Sequence, residues 1–359
     1  MSIKKPSRWI FLAVTALILA GLILSACSGQ KKTESGAPAK AGGTEEAKKE
    51  AAAGKFPEKD ITLIVPWNPG STSDRNAREV KPFFDKVVGR PLLIENIAGA
   101  SGLAGWTAYM GRPKDGYTFV FTNWPVLYQQ IVTGEAKYTL DAFYNLGGIN
   151  DDPIALLKRK DDNRWKNAAE FIEDCKKNPN KYKVSMTGPN SFQNLVAYYL
   201  MDAFGIKFQI VNSPGGANEA NQMLVGGHVD LCLTNAYSGY LIREAATCLG
   251  LVANTKVPNM WPEGTPVSEQ TGKKDLANLT VLRGFSVHSE VQKKYPDRVK
   301  FIEDALAKAC TDPGFVQKMK ESGEGDVSYW IPRDEFEKRL KGSLEVVDKY
   351  KQYLVSSKK

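Results

Sequence analysis

The sequence has few of the residue types on which metal sites and catalytic triads depend. Only two histidines occur, His228 and His288, and neither lies in a metal-binding or catalytic motif. The five cysteines form no Cys-x-x-Cys pair. We therefore expect no metal, no histidine-based catalytic centre and no cofactor.

The chain also lacks a basic patch interleaved with aromatic residues. Its net charge is +8, and loss of the first 26 residues, which carry three basic and no acidic side chains, leaves +5. The basic residues are scattered, which is typical of a solvated surface and argues against nucleic-acid binding. A mild positive field of this kind helps to gather anionic ligands.

Four cysteines lie in the main part of the chain, at positions 175, 232, 248 and 310. Cys232 and Cys248 each fall in an apolar, strand-like run. Disulfides are possible in an exported protein, but this setting favours buried free thiols.

Long apolar runs are absent except at the N-terminus. Three basic residues within the first eight positions precede the apolar stretch from Trp9 to Leu24, and the small residues Ser25 and Ala26 precede Cys27. This pattern resembles a bacterial lipoprotein signal over residues 1–26, with Cys27 acylated as the first mature residue. An uncleaved signal anchor is the alternative interpretation.

Residues 27–55 have no aromatic side chain, and the first one that follows is Phe56. Lysine, glutamate, alanine and glycine dominate, so this segment cannot bury a core and is predicted to be a lipidated flexible tether. Acyl chains on Cys27 would hold the protein at the extracytoplasmic face of the bacterial membrane without spanning it.

The most informative segment of the remaining chain is the turn after the apolar strand 61–65. Pro69 and Gly70 are followed by three hydroxyl residues and Asp74, where a helical pattern begins. A strand, a small-residue turn and a helix start together direct unpaired backbone N–H groups at one point, which suits an anion. The simpler alternative is an ordinary turn with Ser73 or Asp74 as the helix N-cap.

Three further loops repeat this chemistry, at 122–125, 186–191 and 212–217. Strands alternate with amphipathic helices from Phe56 onward, which predicts an α/β fold with mainly parallel sheets and a ligand site at the carboxyl ends of the strands. The candidate ligand-binding residues are Pro69, Gly70, Ser71, Thr72, Ser73, Asp74, Thr122, Asn123, Trp124, Thr187, Gly188, Ser191, Gly215, Gly216 and Ala217.

Several motifs then identify a family resemblance that covers about residues 56–350. They are the Pro/Gly turn running into Asp74-Arg75-Asn76-Ala77-Arg78, the segments 89–96 and 99–102, Pro113-Lys114-Asp115-Gly116-Tyr117-Thr118, and 226–231. In this combination and order they are similar to the solute-binding receptors of tripartite tricarboxylate transporters, also called Bug receptors. The pairing of ENxxGAxG with PxDGYT is the specific part of the resemblance.

The resemblance implies a periplasmic-binding-protein-like fold, with two α/β lobes, a hinge of two crossing segments and a ligand cleft between the lobes. We place lobe 1 at 56–156 plus 280–359 and lobe 2 at 157–279, with crossings near 153–158 and 280–287. It also implies a monomeric, non-enzymatic receptor that captures a small carboxylate and delivers it to membrane permease subunits.

In this hypothesis the first loop binds one ligand carboxylate through its N–H groups and hydroxyls. Thr187, Ser191 and the 215–217 backbone clamp the opposite end, because a buried carboxylate needs several charge-assisted donors. Asp74 would repel an anion, so its expected role is to cap its helix. Arg75 is a further candidate for contact with the ligand.

The chain departs from the family pattern at Ser71, Asn123-Trp124, Asn190, Asn194 and Asn212-Ser213. These are pocket positions, so the ligand is expected to differ from a common citrate-like acid. Trp124 either stacks on a planar or apolar ligand or belongs to the core of a lobe, and the sequence favours neither.

Two other classes of function stay open at this point. A surface hydrolase would need a nucleophile with a base in reach, and the Gly70-Ser71-Thr72-Ser73 segment has no nucleophile-elbow frame. A ligand-sensing surface lipoprotein that partners a sensor kinase would share the fold, because a fold does not determine function.

Overall fold

The computed structural model describes residues 56–188, 191–213 and 215–356, and for 355 and 356 the backbone alone. The predicted signal, the lipidation site Cys27 and the tether lie outside these ranges, as do Pro189, Asn190 and Pro214 from two of the predicted loops. Within the described part, no helix combines the length and the apolar character that crossing a membrane requires.

Strands and helices alternate along most of the chain. The strands are β1 (Ile61–Val65), β2 (Leu92–Asn96), β3 (Thr118–Trp124), β4 (Phe143–Arg159), β5 (Lys183–Thr187), β6 (Gln209–Ser213), β7 (Leu231–Asn235), β8 (Ala246–Leu251), β9 (Thr280–His288) and β10 (Ser328–Ile331). The helices are α1 (Thr72–Val88), α2 (Leu103–Met110), α3 (Val126–Val132), α4 (Ala168–Lys177), α5 (Phe192–Phe204), α6 (Gly216–Val225), α7 (Ala236–Tyr240), α8 (Val267–Thr271), α9 (Ser289–Lys294), α10 (Pro296–Cys310), α11 (Pro313–Glu321) and α12 (Arg333–Ser356).

The strands form one curled sheet in the order β2-β1-β3-β9-β4-β7-β5-β6, with β8 and β10 also paired to β4. The 17-residue strand β4 changes partners along its length. Residues 143–153 pair with β9, and residues 154–159 pair with β7 and β8. The chain therefore passes from one half of the sheet to the other within β4, at residues 153–154. It returns to the first half at Thr280, where β9 begins. These two places lie within the segments 153–158 and 280–287 that were expected to cross.

The sheet is mixed, which corrects the expectation of mainly parallel sheets. Within each half the pairing is parallel, in β2-β1-β3 and in β7-β5-β6. The long strand β4 and its partner β9 pair antiparallel to their neighbours and to each other. Helical crossovers produce the parallel pairs, whereas β4 and β9 carry the chain across and back and so run in opposite directions. The α/β class itself is confirmed.

The first half of β4 was missed from the sequence because it looks like a loop. Gly147 and Gly148 are followed by the polar run from Asn150 to Asp152. The strand needs glycine here for close packing, since a Cβ on Gly147 would lie 2.4 Å from the Trp330 ring and one on Gly148 2.3 Å from the Phe336 ring. These polar residues are buried, and Asn150 accepts a hydrogen bond from Arg283, which lines the cleft described below.

Helices cover both faces of each half of the sheet and enclose separate apolar clusters. The C-terminal helix α12 contributes to both halves: Phe336 packs in a cluster with Trp106, and Tyr350 packs in a cluster of the second half with Tyr199. Cys175, Cys232, Cys248 and Cys310 are free and buried in these clusters, as the apolar runs around two of them indicated.

Candidate ligand-binding site

The carboxyl ends of several strands meet around an open cleft with a volume of about 880 Å³. Residues after β1, β5, β6 and β7 line it, together with residues at the ends of β3 and β9. This placement follows the rule for α/β sheets, in which ligands bind beyond the carboxyl ends of strands.

Most of the residues predicted from the sequence line this one cleft. They are Gly70, Ser71, Thr72, Asn123, Thr187, Gly188, Ser191, Gly215, Gly216 and Ala217. The loops after β1, β3, β5 and β6 therefore converge, although they are far apart in the sequence.

The remaining predicted residues do not line the cleft. Pro69 is exposed outside it, and Ser73, Asp74, Thr122 and Trp124 are buried. Trp124 is 1% exposed, and its ring packs edge-on against Phe143, with centroids 6.2 Å apart. This position favours the interpretation of Trp124 as a core residue over stacking on a ligand.

The first loop is held in shape by Asp74. Its carboxylate accepts hydrogen bonds from the amide of Gly70 (2.8 Å), Nε of Arg78 (2.9 Å) and Nδ2 of Asn96 (2.9 Å). Burial acts to raise the pKa of Asp74, but the hydrogen bonds from Arg78, Gly70 and Asn96 outweigh it and hold this pKa below its ordinary value. The buried Asp74 carboxylate thus holds the first loop in place by its hydrogen bond from the Gly70 amide.

The N-cap of α1 is Ser71, not Ser73 or Asp74 as the sequence suggested. Ser71 has extended backbone dihedral angles, and its Oγ accepts a hydrogen bond from the Asp74 amide at 3.2 Å. The cap stands three residues before Asp74, and the pattern S-x-x-D is a capping signature that could have identified it.

The second loop is ordered by Asn194, one of the positions that departs from the family pattern. Its Nδ2 lies within hydrogen-bond distance of the carbonyl oxygens of Thr187 (3.2 Å) and Gly188 (3.1 Å) and of Ser191 Oγ (2.9 Å). Ser191 is the N-cap of α5. Asn194 is 4% exposed and acts behind the loop, so it shapes the site without lining it.

In the third loop, a carboxylate of the protein itself occupies part of the anion-binding backbone. The carboxylate of Glu219 accepts hydrogen bonds from the amide of Gly215 (2.5 Å) and from Ser213 Oγ (2.6 Å). The hydrogen bond from Ser213 is the main reason that the pKa of Glu219 is lowered. The Gly215 amide is therefore already occupied, which leaves the amides beyond it for a ligand.

Three helices of ten or more residues, α1, α5 and α6, begin at the cleft. The first amides of a helix have no partner within it, and the helix dipole places partial positive charge there. Thr72, Gln193 and Ala217 stand at such positions and line the cleft. Together they give the cleft a preference for negative charge.

Two arginines strengthen that preference, and one of them, Arg283, was not predicted from the sequence. Arg283 on β9 lines the cleft although it is only 7% exposed, and its Nη1 donates to Asn150. Arg75 on α1 lines the cleft with its guanidinium 5.1 Å from the Tyr237 ring centroid. A charged residue inside the largely apolar crossing segment expected at 280–287 was the available signal for Arg283.

Acidic groups partner these arginines behind the cleft surface. Arg75 pairs with Glu324 at 3.0 Å, and Arg283 Nη1 lies 3.8 Å from Asp152 Oδ2. Burial raises the pKa of Asp152 to about 6 despite the opposing charge of Arg283. Burial also raises the pKa of Glu79, and the nearby charge of Glu324 adds to that effect.

No aspartate or glutamate is among the described residues that line the cleft, whereas both arginines are. Neither histidine lines it either, and the described residues contain no cluster of histidine, cysteine and carboxylate side chains suited to a metal ion. The arrangement can attract, orient and desolvate a small anion.

Comparisons with known proteins agree with this geometry. The sequence profile of the family described as "Tripartite tricarboxylate transporter family receptor" matches residues 76–339. A UPF0065 protein of Agrobacterium vitis is 25% identical over 269 residues, which cover 75% of this chain and 76% of that protein.

Solved structures show the same fold. A TctC solute-binding protein from Polaromonas superposes with a TM-score of 0.68 at 22% identity, covering 82% of this chain and 99% of that one. MatC from Rhodopseudomonas palustris, determined with bound malate, gives a TM-score of 0.64 at 19% identity and covers 83% of this chain and 100% of that one.

Proposed function

Because this chain belongs to the tripartite tricarboxylate transporter receptor family, we propose that it is an extracytoplasmic solute-binding lipoprotein that captures a small carboxylate and delivers it to a membrane permease. The observation that carries this proposal is the charge of the cleft. Arg75 and Arg283 line it together with the N-termini of three helices, and no acidic residue is among its described lining residues.

A carboxylate in this cleft meets donors that are already in place. Backbone amides at helix starts lose little conformational freedom on binding, so they hold an anion at low entropic cost. Asp74 and Asn194 fix two of the loops that carry these amides. The fold of MatC, which was determined with malate, supports a carboxylate as the class of ligand.

The proposed mechanism is capture by closure. The two halves of the sheet, joined through β4 and the start of β9, act as lobes that close on the ligand as a hinge motion. The ligand would contact the loop after β1 on one side and the loops after β5 and β6 on the other, since all of them line one cleft. The receptor would work as a monomer.

We propose no catalytic step. Ser71, Thr72 and Thr187 supply hydroxyl groups, but neither His228 nor His288 lines the cleft to act as a base. The hydroxyls of Ser71 and Thr72 instead serve as hydrogen-bond donors to the ligand, whereas the Thr187 hydroxyl already donates to Gln193 Oε1 at 2.7 Å.

Ligand binding can be tested on the chain without residues 1–26, with Cys27→Ala to remove the acylation site. A panel of mono- and dicarboxylates is screened by thermal shift, and binding is quantified by calorimetry. We expect at least one carboxylate to raise the melting temperature of this protein and of the control Ser322→Trp, which places the same bulk at an exposed site. In Ser71→Trp, which fills the first loop, the shift should vanish.

Equal binding to Ser71→Trp would remove the first loop from the site. A panel in which no carboxylate binds would count against the receptor assignment itself. The anchor is tested separately: with the full signal present, the wild-type protein should fractionate with membranes and Cys27→Ala should be released. Uptake of the identified ligand should fall in a gene deletion and be restored by the wild type but not by Ser71→Trp.

A further inference from the structure

The cleft has apolar sides as well as polar loops. Among its described lining residues, Trp67, Val126 and Tyr237 are partly exposed, and Leu241 is 57% exposed. One exposed apolar side chain is ordinary, but several that line one concave surface are typical of a site for an apolar group. The anion donors of the cleft leave these four side chains without a role.

Tyr237 and Leu241 belong to the second half of the sheet. They follow β7 and stand four residues apart, and Leu241 keeps helical backbone angles at the end of α7. Residues at this spacing lie on the same face of a helix. The two side chains therefore form one apolar strip along the cleft, and Leu241 is the more accessible of them.

Trp67 and Val126 belong to the first half of the sheet, where they follow β1 and β3. Both pack against the apolar cluster that contains Trp106, and the Trp67 ring meets the Trp106 ring edge-on with centroids 5.2 Å apart. The core thus fixes both side chains, while part of each stays accessible. Each half of the sheet contributes an apolar surface to the same cleft.

The positive charge of the cleft is limited. Arg75 pairs with Glu324, and Arg283 lies near Asp152, so each guanidinium is partly neutralised before a ligand binds. A carboxylate that leaves water without strong donors is costly, so this cleft suits an acid with few carboxylates. A carboxylate group fills only a small part of about 880 Å³, so another part of the ligand occupies the rest.

The polar and apolar parts of the cleft meet at Arg75 and Tyr237. The guanidinium carbon lies 5.1 Å from the centroid of the Tyr237 ring, and both residues line the cleft. A carboxylate bound at Arg75 therefore has Tyr237 beside it, with Leu241 farther along the same strip. This arrangement matches a molecule with a charged end and an apolar body.

Resting on the proposed function, we propose that the ligand is a carboxylate with an apolar alkyl or aryl body, and not a polyhydroxylated or tricarboxylic acid. Its carboxylate lies near Arg75, and its body lies between Trp67 and Val126 on one side and Tyr237 and Leu241 on the other. Closure of the lobes removes the body and both apolar sides from water, which favours binding in proportion to the apolar area buried.

The first test compares ligands of equal charge on the mature Cys27→Ala protein. Calorimetry gives dissociation constants for two pairs of equal carbon number, hexanoate with gluconate and adipate with galactarate. In each pair the apolar acid should bind about tenfold or more tightly, because hydroxyl groups lose water without finding partners on the apolar sides. Alkanoates of increasing length should gain about threefold in affinity per methylene until the cleft is filled. The heat-capacity change of binding should become more negative along that series.

The second test uses Leu241→Asn, which places a polar group of similar size in the apolar strip. It should weaken binding of the longer alkanoates about fivefold and leave that of the shortest binding homologue unchanged. Stability should be retained, since the leucine side chain is 57% exposed. The matched control is Leu93→Asn, a leucine that is 47% exposed on β2 and does not line the cleft, and it should bind every ligand normally.

The opposite side of the cleft is tested by Val126→Thr, which keeps the size of the side chain and replaces a methyl by a hydroxyl group. It should also reduce the gain in affinity per methylene.

Three results would overturn the apolar subsite while leaving carboxylate capture intact. The first is gluconate or galactarate binding as tightly as its apolar counterpart, and the second is an affinity that does not depend on alkanoate length. The third is a gain per methylene that persists undiminished in Leu241→Asn. Failure of every carboxylate to bind would overturn the proposed function and the subsite together. The ligand series needs only the wild-type cleft, so it decides the matter even if a variant does not fold.

Discussion

Arg283 on β9 and Asp152 on β4 form an ion pair in the interior of the protein, with Nη1 and Oδ2 3.8 Å apart. The two strands are those through which the chain leaves one half of the sheet and returns. The pair is loose and buried, so Asp152 offsets the charge of Arg283 only in part, and Arg283 still lines the cleft as a cation. Glu324 and Asp151 add negative charge near Asp152.

Asp152 should make stability depend on pH. Burial raises its pKa from 3.8 to about 6, so the folded protein binds this proton more tightly than the unfolded chain does. The free energy of unfolding contributed by Asp152 therefore falls as pH rises from about 4 to about 6 and is constant above that window. The full difference is roughly 3 kcal/mol. The free energy of unfolding, measured with denaturant across this pH range, should fall less with rising pH in Asp152→Asn than in the wild type. The same pH dependence in both proteins would contradict the raised pKa of Asp152.

Removal of the buried pair should weaken ligand binding. The double variant Arg283→Gln, Asp152→Asn avoids a stranded buried charge, so it tests the cation rather than the fold. Loss of a charged donor in the cleft should lower carboxylate affinity by about tenfold or more in calorimetry. Arg243→Met, at an exposed position, is the matched loss of a surface arginine and should bind normally. Unchanged affinity in the double variant would place the ligand away from Arg283.

Asp74→Asn should loosen the first loop. The asparagine loses the charge-assisted hydrogen bonds from Gly70 and Arg78, and we expect a destabilisation of about 1–3 kcal/mol near neutral pH together with weaker binding. Because the pKa of Asp74 is lowered in the fold, its contribution is present above the ordinary pKa of 3.8 and is lost as pH falls through the lowered value. The difference in unfolding free energy between Asp74→Asn and the wild type should thus become smaller at acidic pH. Asp304→Asn, on the exposed side of α10, should show no such gap.

Substitution of Trp124 separates a core role from a ligand contact. The side chain is 1% exposed and does not line the cleft, so Trp124→Ala should cost about 3–5 kcal/mol of unfolding free energy. The milder Trp124→Phe should fold and bind the ligand with wild-type affinity. A large loss of affinity in Trp124→Phe, with stability retained, would revive stacking on the ligand.

The cysteines should be inert in the folded protein. Burial raises the pKa of Cys175 and of Cys232 to about 12, and it raises the pKa of Cys248 and Cys310 further. In a Cys27→Ala background, a thiol reagent should therefore react only after denaturation, and reductant should leave the melting temperature unchanged. Rapid labelling of the native protein would show that at least one of these thiols is accessible.

Local sequence predicted much of the fold because most strands and helices are strongly patterned. Strand β1 lies at Ile61–Val65, as the apolar run there predicted, and helix α1 begins at Thr72, two residues before the expected helical pattern at Asp74. The first half of β4 was not predicted, since Gly147, Gly148 and the polar residues after them serve packing against Trp330 and Phe336, which lie far along the chain.

The sequence by itself determined that short turns with free amides follow several strands and open into helices, because turn residues and helix caps act within a few positions. Only the tertiary structure decided which of their residues share a cleft. Trp124 is buried, whereas its neighbour Asn123 lines the cleft. The pairing of β4 with β9 places Arg283 in the lining of the same cleft. Such choices depend on contacts between residues distant in the chain, and no local pattern encodes them.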